Sequence, residues 1–264
     1  MAAIRVIAHG TLGKLGQEVV KALCSEPETK LVGAVDLKAA RDYLPLPDES
    51  GQVPFSTDLS TILNKCPADV MVDFTIAKAS LAAARIAAKK GVNLVICTTG
   101  FTADELDEIK NLSKANKIGI IIAPNFALGS VLMLHLAKIA AKYMDYAEII
   151  ELHHHLKADA PSGTALNTAK AMTQARGKPF DSPPEMANPS TSRGQEVEGV
   201  PIHAVRLPGL MAHQEVILGA PGQTLIIRHD TINRECYVPG IMLAIKEAVK
   251  RREFIYGLDT LLGL

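Results

Sequence analysis

The stretch Ile4-Arg-Val-Ile-Ala-His-Gly10-Thr-Leu-Gly13-Lys-Leu-Gly16 decides the fold of the N-terminal half of the chain. Its first part, Ile4–Ala8, is apolar and rich in β-branched residues, which predicts a strand buried on both faces. The apolar period that follows the glycines predicts a helix over Gly13–Cys24. A strand that enters a helix through a glycine-rich turn is the first unit of a parallel sheet, so we predict an α/β fold.

The same alternation continues to about residue 125. Further strands are predicted at Leu31–Asp36, Val70–Phe74, Val92–Cys97 and Ile118–Ala123, and helices at Asp58–Lys65, Ala77–Lys90 and Ala103–Ala115. The segment that contains Pro45, Pro47 and Pro54 is predicted to be a polar loop. Repeated units of this kind predict a Rossmann-like, doubly wound parallel sheet.

After Phe126 the pattern changes to α+β. Ser130–Met144 is almost wholly apolar and is expected to be a helix buried at a domain or subunit junction. Strands are predicted at Glu148–His155, Val200–Arg206, Gln214–Leu218 and Thr224–His229, with a helix at Gly163–Gln174, a proline-rich loop at Arg176–Arg193, a tight Gly219–Gly222 connection and a final helix at Ile241–Arg251. We expect one domain from residues 1–126 plus 240–264, and a second domain with a mainly antiparallel sheet from residues 127–239.

The overall composition argues against several classes of protein. The 264 residues include 28 Lys and Arg against 28 Asp and Glu, so no basic field suggests a nucleic-acid partner. The four cysteines form no CxxC pair, and no apolar run is long enough to span a bilayer. The N-terminus runs directly into the first strand pattern without a signal peptide. These features predict a cytoplasmic protein with no nucleic-acid or membrane partner.

The glycine turn predicts a dinucleotide site. GxxGxxG between a strand and a helix allows a sharp turn and a close approach to a pyrophosphate, which the helix N-terminus also attracts. Asp36 ends the second strand, 20 residues after Gly16, where a carboxylate can accept from ribose hydroxyls. Asp36 favours NAD, whereas Lys14, Lys38 and Arg41 favour the 2′-phosphate of NADP, so both cofactors stay open.

Two further strand ends are expected at the same crevice, because the carboxyl ends of strands carry the ligand in doubly wound sheets. Asp73-Phe74-Thr75 follows one strand and Cys97-Thr98-Thr99-Gly100 follows the next. Phe74 is a candidate to lie against the cofactor, while Thr98 and Thr99 present amides and hydroxyls to a carboxamide. Cys97 is interpreted as a buried thiol, since no histidine lies near it in the sequence.

The segment Glu151-Leu-His-His-His-Leu-Lys157-Ala-Asp159-Ala-Pro-Ser162-Gly163-Thr164-Ala165 concentrates the remaining chemistry. On a strand, Glu151, His153 and His155 share a face and His154 points the other way. A histidine can give a proton near neutral pH, a lysine can hold an anion, and the helix start capped by Ser162 offers free amides to a carboxylate. A metal site built from His153, His155 and Asp159 is the alternative, but no further ligand cluster completes it.

The motif ExHHxxKxDAPSGTA in this segment resembles the signature of the dihydrodipicolinate reductase (4-hydroxy-tetrahydrodipicolinate reductase) family. GxxGKLG at residues 10–16 is similar to that family's glycine turn. Further matching motifs occur in the family's order: Asp73-Phe-Thr75, Thr98-Thr-Gly-Phe101, Pro124-Asn-Phe126, Ala204-Val-Arg206-Leu-Pro-Gly209 and Arg228-His-Asp230. The sequence departs from the family at Lys14-Leu15, where Arg-Met is usual, and at Leu156, where some members carry a polar residue.

The resemblance implies that NADH or NADPH reduces a cyclic dicarboxylate imine derived from 4-hydroxy-tetrahydrodipicolinate, with net loss of water, on the route to diaminopimelate and lysine. His153 would be the general acid and Lys157 its electrostatic partner, with His154, Gly163 and Thr164 binding the substrate carboxylates. The candidate cofactor-binding residues are Gly10, Thr11, Leu12, Gly13, Lys14, Leu15, Gly16, Asp36, Phe74, Thr98, Thr99, Gly100, Asn125 and Phe126. The resemblance also implies a homotetramer assembled through the second domain. The alternatives are a non-catalytic NAD(P)H-sensing protein and another imine or carbonyl reductase on the same fold.

Overall fold

The structure, a computed structural model, describes residues 2–182 and 191–264. The chain divides into two compact units, of which unit 1 comprises residues 1–128 and 237–264 and unit 2 comprises residues 129–236. Within the described residues, no helix has both the length and the apolar character that crossing a membrane would require.

Unit 1 contains a sheet that is parallel except at one edge. Its strands are β1 (Ile4–His9), β2 (Thr29–Val35), β3 (Tyr43–Pro45), β4 (Gln52–Ser56), β5 (Val70–Asp73), β6 (Asn93–Ile96), β7 (Ile120–Ile122) and, after unit 2, β13 (Phe254–Tyr256). They are ordered β13-β7-β6-β5-β1-β2-β4-β3. The order reverses between β1 and β5, and ligands of doubly wound sheets bind at such a switch point.

The helices of unit 1 agree with the predicted βα alternation. They are α1 (Lys14–Ser25), α2 (Leu59–Lys65), α3 (Ala77–Lys89), α4 (Ala103–Asn116), α7 (Val238–Ala248) and α8 (Leu258–Leu262), with α5 (Leu128–Ala140) beginning at the border of unit 2. Asp58 caps α2 as predicted, accepting from the amides of Ser60 and Thr61. The central strands β5 and β7 are buried along their whole length, as expected of a parallel sheet that is covered by helices.

The predicted polar loop with Pro45 and Pro54 is wrong in part, because it contains strands β3 and β4. Tyr43 pairs with Pro54 and Pro45 with Gln52, so both prolines stand in a short antiparallel ladder at the sheet edge. Proline donates no backbone hydrogen bond and is tolerated at such edges, so its presence did not exclude a strand. The sequence interpretation also missed β13 and α8, which are only three and five residues long.

Unit 2 holds a five-stranded sheet, nearly all of α5 and a further helix that the sequence predicted, α6 (Gly163–Arg176). Its strands are β8 (Tyr146–His153), β9 (Gln195–Val197), β10 (Val200–Arg206), β11 (Ala212–Ala220) and β12 (Gln223–Thr231), ordered β12-β11-β8-β10-β9. The sheet is mainly antiparallel as predicted, but β8 and β10 pair in parallel. Within the predicted Arg176–Arg193 loop, Pro183, Pro184 and Pro189 lie outside the described residues.

Two apolar surfaces of unit 2 remain exposed in the single chain. Helix α5 buries Met133 and Ala137 but leaves Leu132, Leu136 and Ile139 between 43% and 49% exposed. On β12, which has a described neighbour on one side, Ile226 is 55% exposed and Leu225 is 38% exposed. The prediction that this apolar helix is buried at a domain or subunit junction stays a prediction, since one face of the helix is exposed in the single chain.

Candidate active site

The backbone of the glycine turn has a conformation and a close approach that residues with a side chain would not allow. Gly10 has a φ of +89°, in the region that favours glycine, and a Cβ on Gly16 would lie 2.2 Å from the carbonyl oxygen of Gly10. Thr11 beside it is buried, and its hydroxyl has no partner among the described residues. A tight cradle at the start of α1 with an unsatisfied polar atom fits the pyrophosphate of a dinucleotide.

Asp36 follows β2 and reaches the glycine turn. Its carboxylate accepts from the amide of Leu12 at 2.9 Å and from the amide of Lys38 at 2.9 Å. Lys14, Lys38 and Arg41 are all exposed. The structure thus brings the acid to the predicted place and leaves three cations at the surface, so the residues fit either nicotinamide dinucleotide.

Three strand ends meet at the carboxylate of Asp73, at the switch point of the sheet. This carboxylate is completely buried and contacts His9 Nδ1 at 2.6 Å, the Thr98 hydroxyl at 2.7 Å and the amide and hydroxyl of Thr75. Burial would raise the pKa of Asp73, but the hydrogen bonds and the charge of His9 outweigh it and lower the pKa. The carboxylate therefore joins the ends of β1, β5 and β6 beside the glycine turn.

The turn after β6 forms one side of a small pocket of about 50 Å³. Thr98, Thr99 and Gly100 line it together with Phe101, Leu106, Ile122, Pro124 and Tyr256. Thr99 is exposed, whereas the hydroxyl of Thr98 is already donated to Asp73, so Thr99 is the better carboxamide candidate. Burial, followed by the nearby charge of Asp73, raises the pKa of Cys97 far above its ordinary value, which agrees with an unreactive thiol.

The remaining predicted cofactor-binding residues differ in how accessible their side chains are. Phe74 is half-buried and its carbonyl lies against Gly10, so it borders the turn as expected. Asn125 accepts from the amide of Ala127 through its side chain. Phe126 is only 3% exposed, and its carbonyl packs on Gly240, so its side chain is part of the core of unit 1.

In unit 2, the predicted histidine segment is organised around Glu151. The Glu151 carboxylate is fully buried and lies 2.5 Å from His153 Nδ1, 3.0 Å from the amide of Ser162 and 2.7 Å from both terminal nitrogens of Arg206. His153 and Glu151 thus share a face of β8, as the alternation predicted. Burial opposes ionisation, but these donors outweigh it and lower the pKa of Glu151.

The electrostatic surroundings of His153 favour its neutral form in the free protein. Burial is the largest cause and lowers its pKa, the carboxylate of Glu151 raises it, and the charges of Lys157 and Arg206 lower it further. A carboxylate accepts only, so Nδ1 carries the hydrogen of this contact and Nε2 is the nitrogen left to exchange a proton.

The other two histidines of the segment lie outside this network. His154 and His155 lie beyond the end of the strand and are exposed. The Lys157 ammonium contacts both carboxylate oxygens of Asp159 at 2.7 and 2.8 Å, and it lies close enough to influence His153. Within residues 2–182 and 191–264, no three histidine, cysteine or acidic side chains converge as metal ligands.

The start of α6 has the predicted cap. The Ser162 hydroxyl accepts from the amide of Ala165 at 3.2 Å, and the structure records no described acceptor for the amides of Gly163 and Thr164. A Cβ on Gly163 would meet nothing within 4 Å, so the helix start is open to a ligand. Two free amides at a helix N-terminus favour a carboxylate.

Sequence reasoning missed several residues of these two networks. It assigned no role to His9, Arg206 or Tyr256, and it placed Glu151 on the face of His153 without giving it a partner. The two-residue spacing was a sufficient signal for Glu151. Arg206 belongs to a motif that matches the family, but no local pattern gave it a partner, because it comes from a strand 55 positions after Glu151.

Comparison with known proteins agrees with the geometry of both units. A family model described as the N-terminus of dihydrodipicolinate reductase matches residues 4–126, and one described as its C-terminus matches residues 129–262. A 4-hydroxy-tetrahydrodipicolinate reductase of Dehalococcoides mccartyi strain BAV1 is 57% identical over 264 residues and covers all of both chains. That of Moorella thermoacetica is 43% identical over 99% of both. A dipicolinate-bound dihydrodipicolinate reductase from Paenisporosarcina sp. TG-14 superposes with a TM-score of 0.88 at 38% identity, over 98% of this chain and 99% of that one.

Proposed function

The chain belongs to the dihydrodipicolinate reductase family, and on that premise we propose which residues carry out its reaction. It is an oxidoreductase of diaminopimelate and lysine biosynthesis that reduces 4-hydroxy-tetrahydrodipicolinate to tetrahydrodipicolinate with net loss of water. NADH or NADPH supplies the hydride when bound to unit 1.

Unit 1 is proposed to hold the dinucleotide. The glycine turn from Gly10 to Gly16 would bind the pyrophosphate, Asp36 the adenosine ribose, and Thr99 the carboxamide. The observations behind this proposal are the cradle that a Cβ would fill, the unpartnered Thr11 hydroxyl and the exposed turn after β6.

Unit 2 is proposed to supply the proton and to hold the two carboxylates. His153 is the proton donor, and the single observation that carries this role is its Nδ1 contact with the buried carboxylate of Glu151. In the free protein its lowered pKa keeps the imidazole neutral at pH 7. A dianionic substrate beside it raises that pKa, so His153 takes up a proton as the substrate binds and gives it up from Nε2 during reduction.

The substrate carboxylates need two separate anion sites. Lys157 is proposed to bind one of them, exchanging its contact with Asp159 for the ligand. The amides of Gly163 and Thr164 are proposed to bind the other, and His154 is proposed to contribute as a further donor. The open space at Gly163 supports this assignment.

Replacement of His153 or Lys157 by alanine tests these roles. His153→Ala is expected to lower kcat by about 10²-fold or more, since a positioned acid contributes at least that much. Lys157→Ala is expected to raise KM together with a loss in kcat. Both variants should bind NADH with the affinity of the wild type, measured by fluorescence titration, because the cofactor residues belong to unit 1.

A matched control is His203→Ala, since His203 is a half-buried histidine of β10 whose Nε2 contacts Glu148 instead. Its kcat and KM are expected to stay within about twofold of the wild type. Loss of NADH affinity in His153→Ala, with turnover preserved at saturating cofactor, would contradict the assignment.

We propose further that the protein is a cytoplasmic homotetramer. The exposed apolar residues on α5 and on β12 support self-association through unit 2, because an unpaired apolar strand edge is a template for pairing. The four cysteines, all free, support a reducing compartment.

A further inference from the structure

We propose that Glu151 and Arg206 form a positioning pair that sets the tautomer of His153 and fixes the start of α6 in the same frame. This inference rests on the proposed role of His153 as proton donor. It adds that the donor and the carboxylate-binding amides are held by one ion pair with a buried carboxylate, neither member of which touches the reacting atoms.

The hydrogen bonds of Glu151 divide evenly between its two oxygens. Oε2 accepts from His153 Nδ1 at 2.5 Å and from Arg206 Nη1 at 2.7 Å, while Oε1 accepts from Arg206 Nη2 at 2.7 Å and from the amide of Ser162 at 3.0 Å. A carboxylate has about four acceptor positions, and all four are used here. The group has no capacity left to bind a ligand, so its function is to orient its neighbours.

This arrangement decides which nitrogen of His153 is available. Because the carboxylate only accepts, it selects the tautomer with hydrogen on Nδ1 and leaves Nε2 for the substrate. The same carboxylate holds the amide of Ser162, the residue that caps α6. Movement of the helix start relative to the imidazole would break one of these two bonds, so the pair keeps the proton donor and the carboxylate site at a constant distance.

Arg206 makes a buried carboxylate possible at this position. Its planar fork contacts both oxygens, a geometry that lysine cannot reproduce. Nη2 also donates to the carbonyl of Asp159 at 2.7 Å, which holds the loop that carries Lys157. Arg206 therefore connects three parts of the site: β8, the loop and, through Glu151, α6.

Because of the charges around His153, the pair should have a measurable effect on the pH dependence of activity. Glu151 faces it from β8, Arg206 from β10 and Lys157 from the loop, where Lys157 is itself paired with Asp159. Glu151 supplies the negative charge that raises the pKa of His153. Removing that charge while keeping the shape of the side chain lowers the pKa of the proton donor, so activity is lost at a lower pH.

Glu151→Gln is the test variant. Its kcat is expected to fall by about 10- to 100-fold, part of what a well-oriented acid contributes. The alkaline limb of the kcat–pH profile is expected to move down by about one pH unit. The affinity for NADH should be unchanged. Ring ¹⁵N shifts of labelled His153 should show a loss of the Nδ1-protonated tautomer.

Glu148→Gln is a closely matched control. Glu148 lies on the same strand, three residues away and therefore on the opposite face, and it also pairs with an arginine and a histidine, Arg193 and His203. The control should keep the kcat, the pH profile and the oligomeric state of the wild type. Equal losses in both variants would overturn the proposal, because they would reflect general damage to β8.

Variants of Arg206 keep the test valid if Glu151→Gln folds poorly. Arg206→Lys keeps the charge and loses the fork, so its kcat should lie between those of the wild type and Arg206→Met. The double variant Glu151→Gln, Arg206→Met should be no worse than Glu151→Gln alone, since each residue acts through the other. Additive losses would show independent roles and overturn the pairing.

The outcomes separate this inference from the proposed function. If His153→Ala abolishes turnover but Glu151→Gln leaves kcat and the pH profile unchanged, His153 is the donor and the positioning pair is wrong. If His153→Ala keeps its turnover, the donor assignment itself fails, whatever Glu151→Gln does.

Discussion

Two carboxylates, Asp73 in unit 1 and Glu151 in unit 2, are fully buried at or near the ends of their strands, and each contacts a histidine Nδ1. Burial alone would raise the pKa of each acid, but its donors lower it instead. Each acid stays ionised and joins segments that are distant in the chain. Single residues thus organise the local geometry of both units.

The lowered pKa of Asp73 predicts acid sensitivity. Its folded-state pKa lies below the unfolded value of about 3.9, so its stabilisation is complete above that value and is lost as the pH falls through it towards the folded pKa. Asp73→Asn should lower the free energy of unfolding by about 1–3 kcal/mol at pH 7. On acidification, the free energy of unfolding of this variant should fall less than that of the wild type. Urea unfolding at pH 7, 4 and 3 measures this, with the exposed Asp107→Asn as control. Parallel pH dependences for all three proteins would contradict it.

Asp36 is expected to govern the choice between NADH and NADPH. Removal of a carboxylate that accepts from ribose hydroxyls should lower kcat/KM for NADH by about 10-fold, the effect of a charged hydrogen bond, and should affect NADPH less. The ratio of the two efficiencies in Asp36→Ala measures the effect. Asp42→Ala, an exposed acid further along the same segment, is the control. An unchanged ratio would mean that Asp36 only stabilises the local backbone, by accepting from the amides of Leu12 and Lys38.

At the scale of elements, helix starts serve both stability and binding. Helix α4 begins with a capping box that Thr102 and Glu105 complete within the helix, whereas the N-cap amide of α6, that of Ser162, donates to the buried Glu151. The start of α4 belongs to a structural helix of unit 1. The start of α6 belongs to the helix that is proposed to bind a substrate carboxylate.

Removal of the two caps should separate these functions. Ser162→Ala and Thr102→Ala should each lower the free energy of unfolding by about 1 kcal/mol, the usual cost of a lost N-cap. Only Ser162→Ala should also raise KM for the substrate, because the amides of α6 lose their alignment. Denaturant unfolding and initial rates measure the two effects. An equal rise in KM for Thr102→Ala would contradict the assignment of the carboxylate site.

At the scale of the whole molecule, the two units carry different chemistry. Unit 1 has the glycine turn, Asp36 and the Asp73 network, which suit a dinucleotide. Unit 2 has the residues proposed as proton donor and as the two anion sites, together with the exposed apolar surfaces. The proposed roles therefore make cofactor affinity a property of unit 1, and make proton transfer and assembly properties of unit 2.

The proposed homotetramer can be tested on the edge strand β12. Ile226→Lys places a charge on a strand edge that is expected to be covered, so sedimentation should show species smaller than the tetramer of the wild type. Leu264→Lys, at an exposed apolar position of unit 1, should leave the assembly unchanged. A wild-type protein that sediments as a monomer at micromolar concentration would exclude the tetramer.

The sequence by itself determined the features that depend on neighbouring residues. The βα alternation, the glycine turn, the caps at Asp58 and Ser162, and the shared face of Glu151 and His153 all follow from periodicity, backbone freedom or capping. The family signature belongs to the same class, because its residues lie close together in the chain. These features predicted the fold class and most of the candidate site.

The tertiary structure alone decided which distant residues meet. Arg206 reaches Glu151 because β10 pairs in parallel with β8, and His9 reaches Asp73 because β1 and β5 are neighbours at the switch point. Periodicity shows which face of a strand a residue occupies, but the neighbour on that face depends on strand order and register, which arise from the packing of the whole sheet. For the same reason, the residue proposed as proton donor could be identified in the sequence, while the ion pair beside it could not.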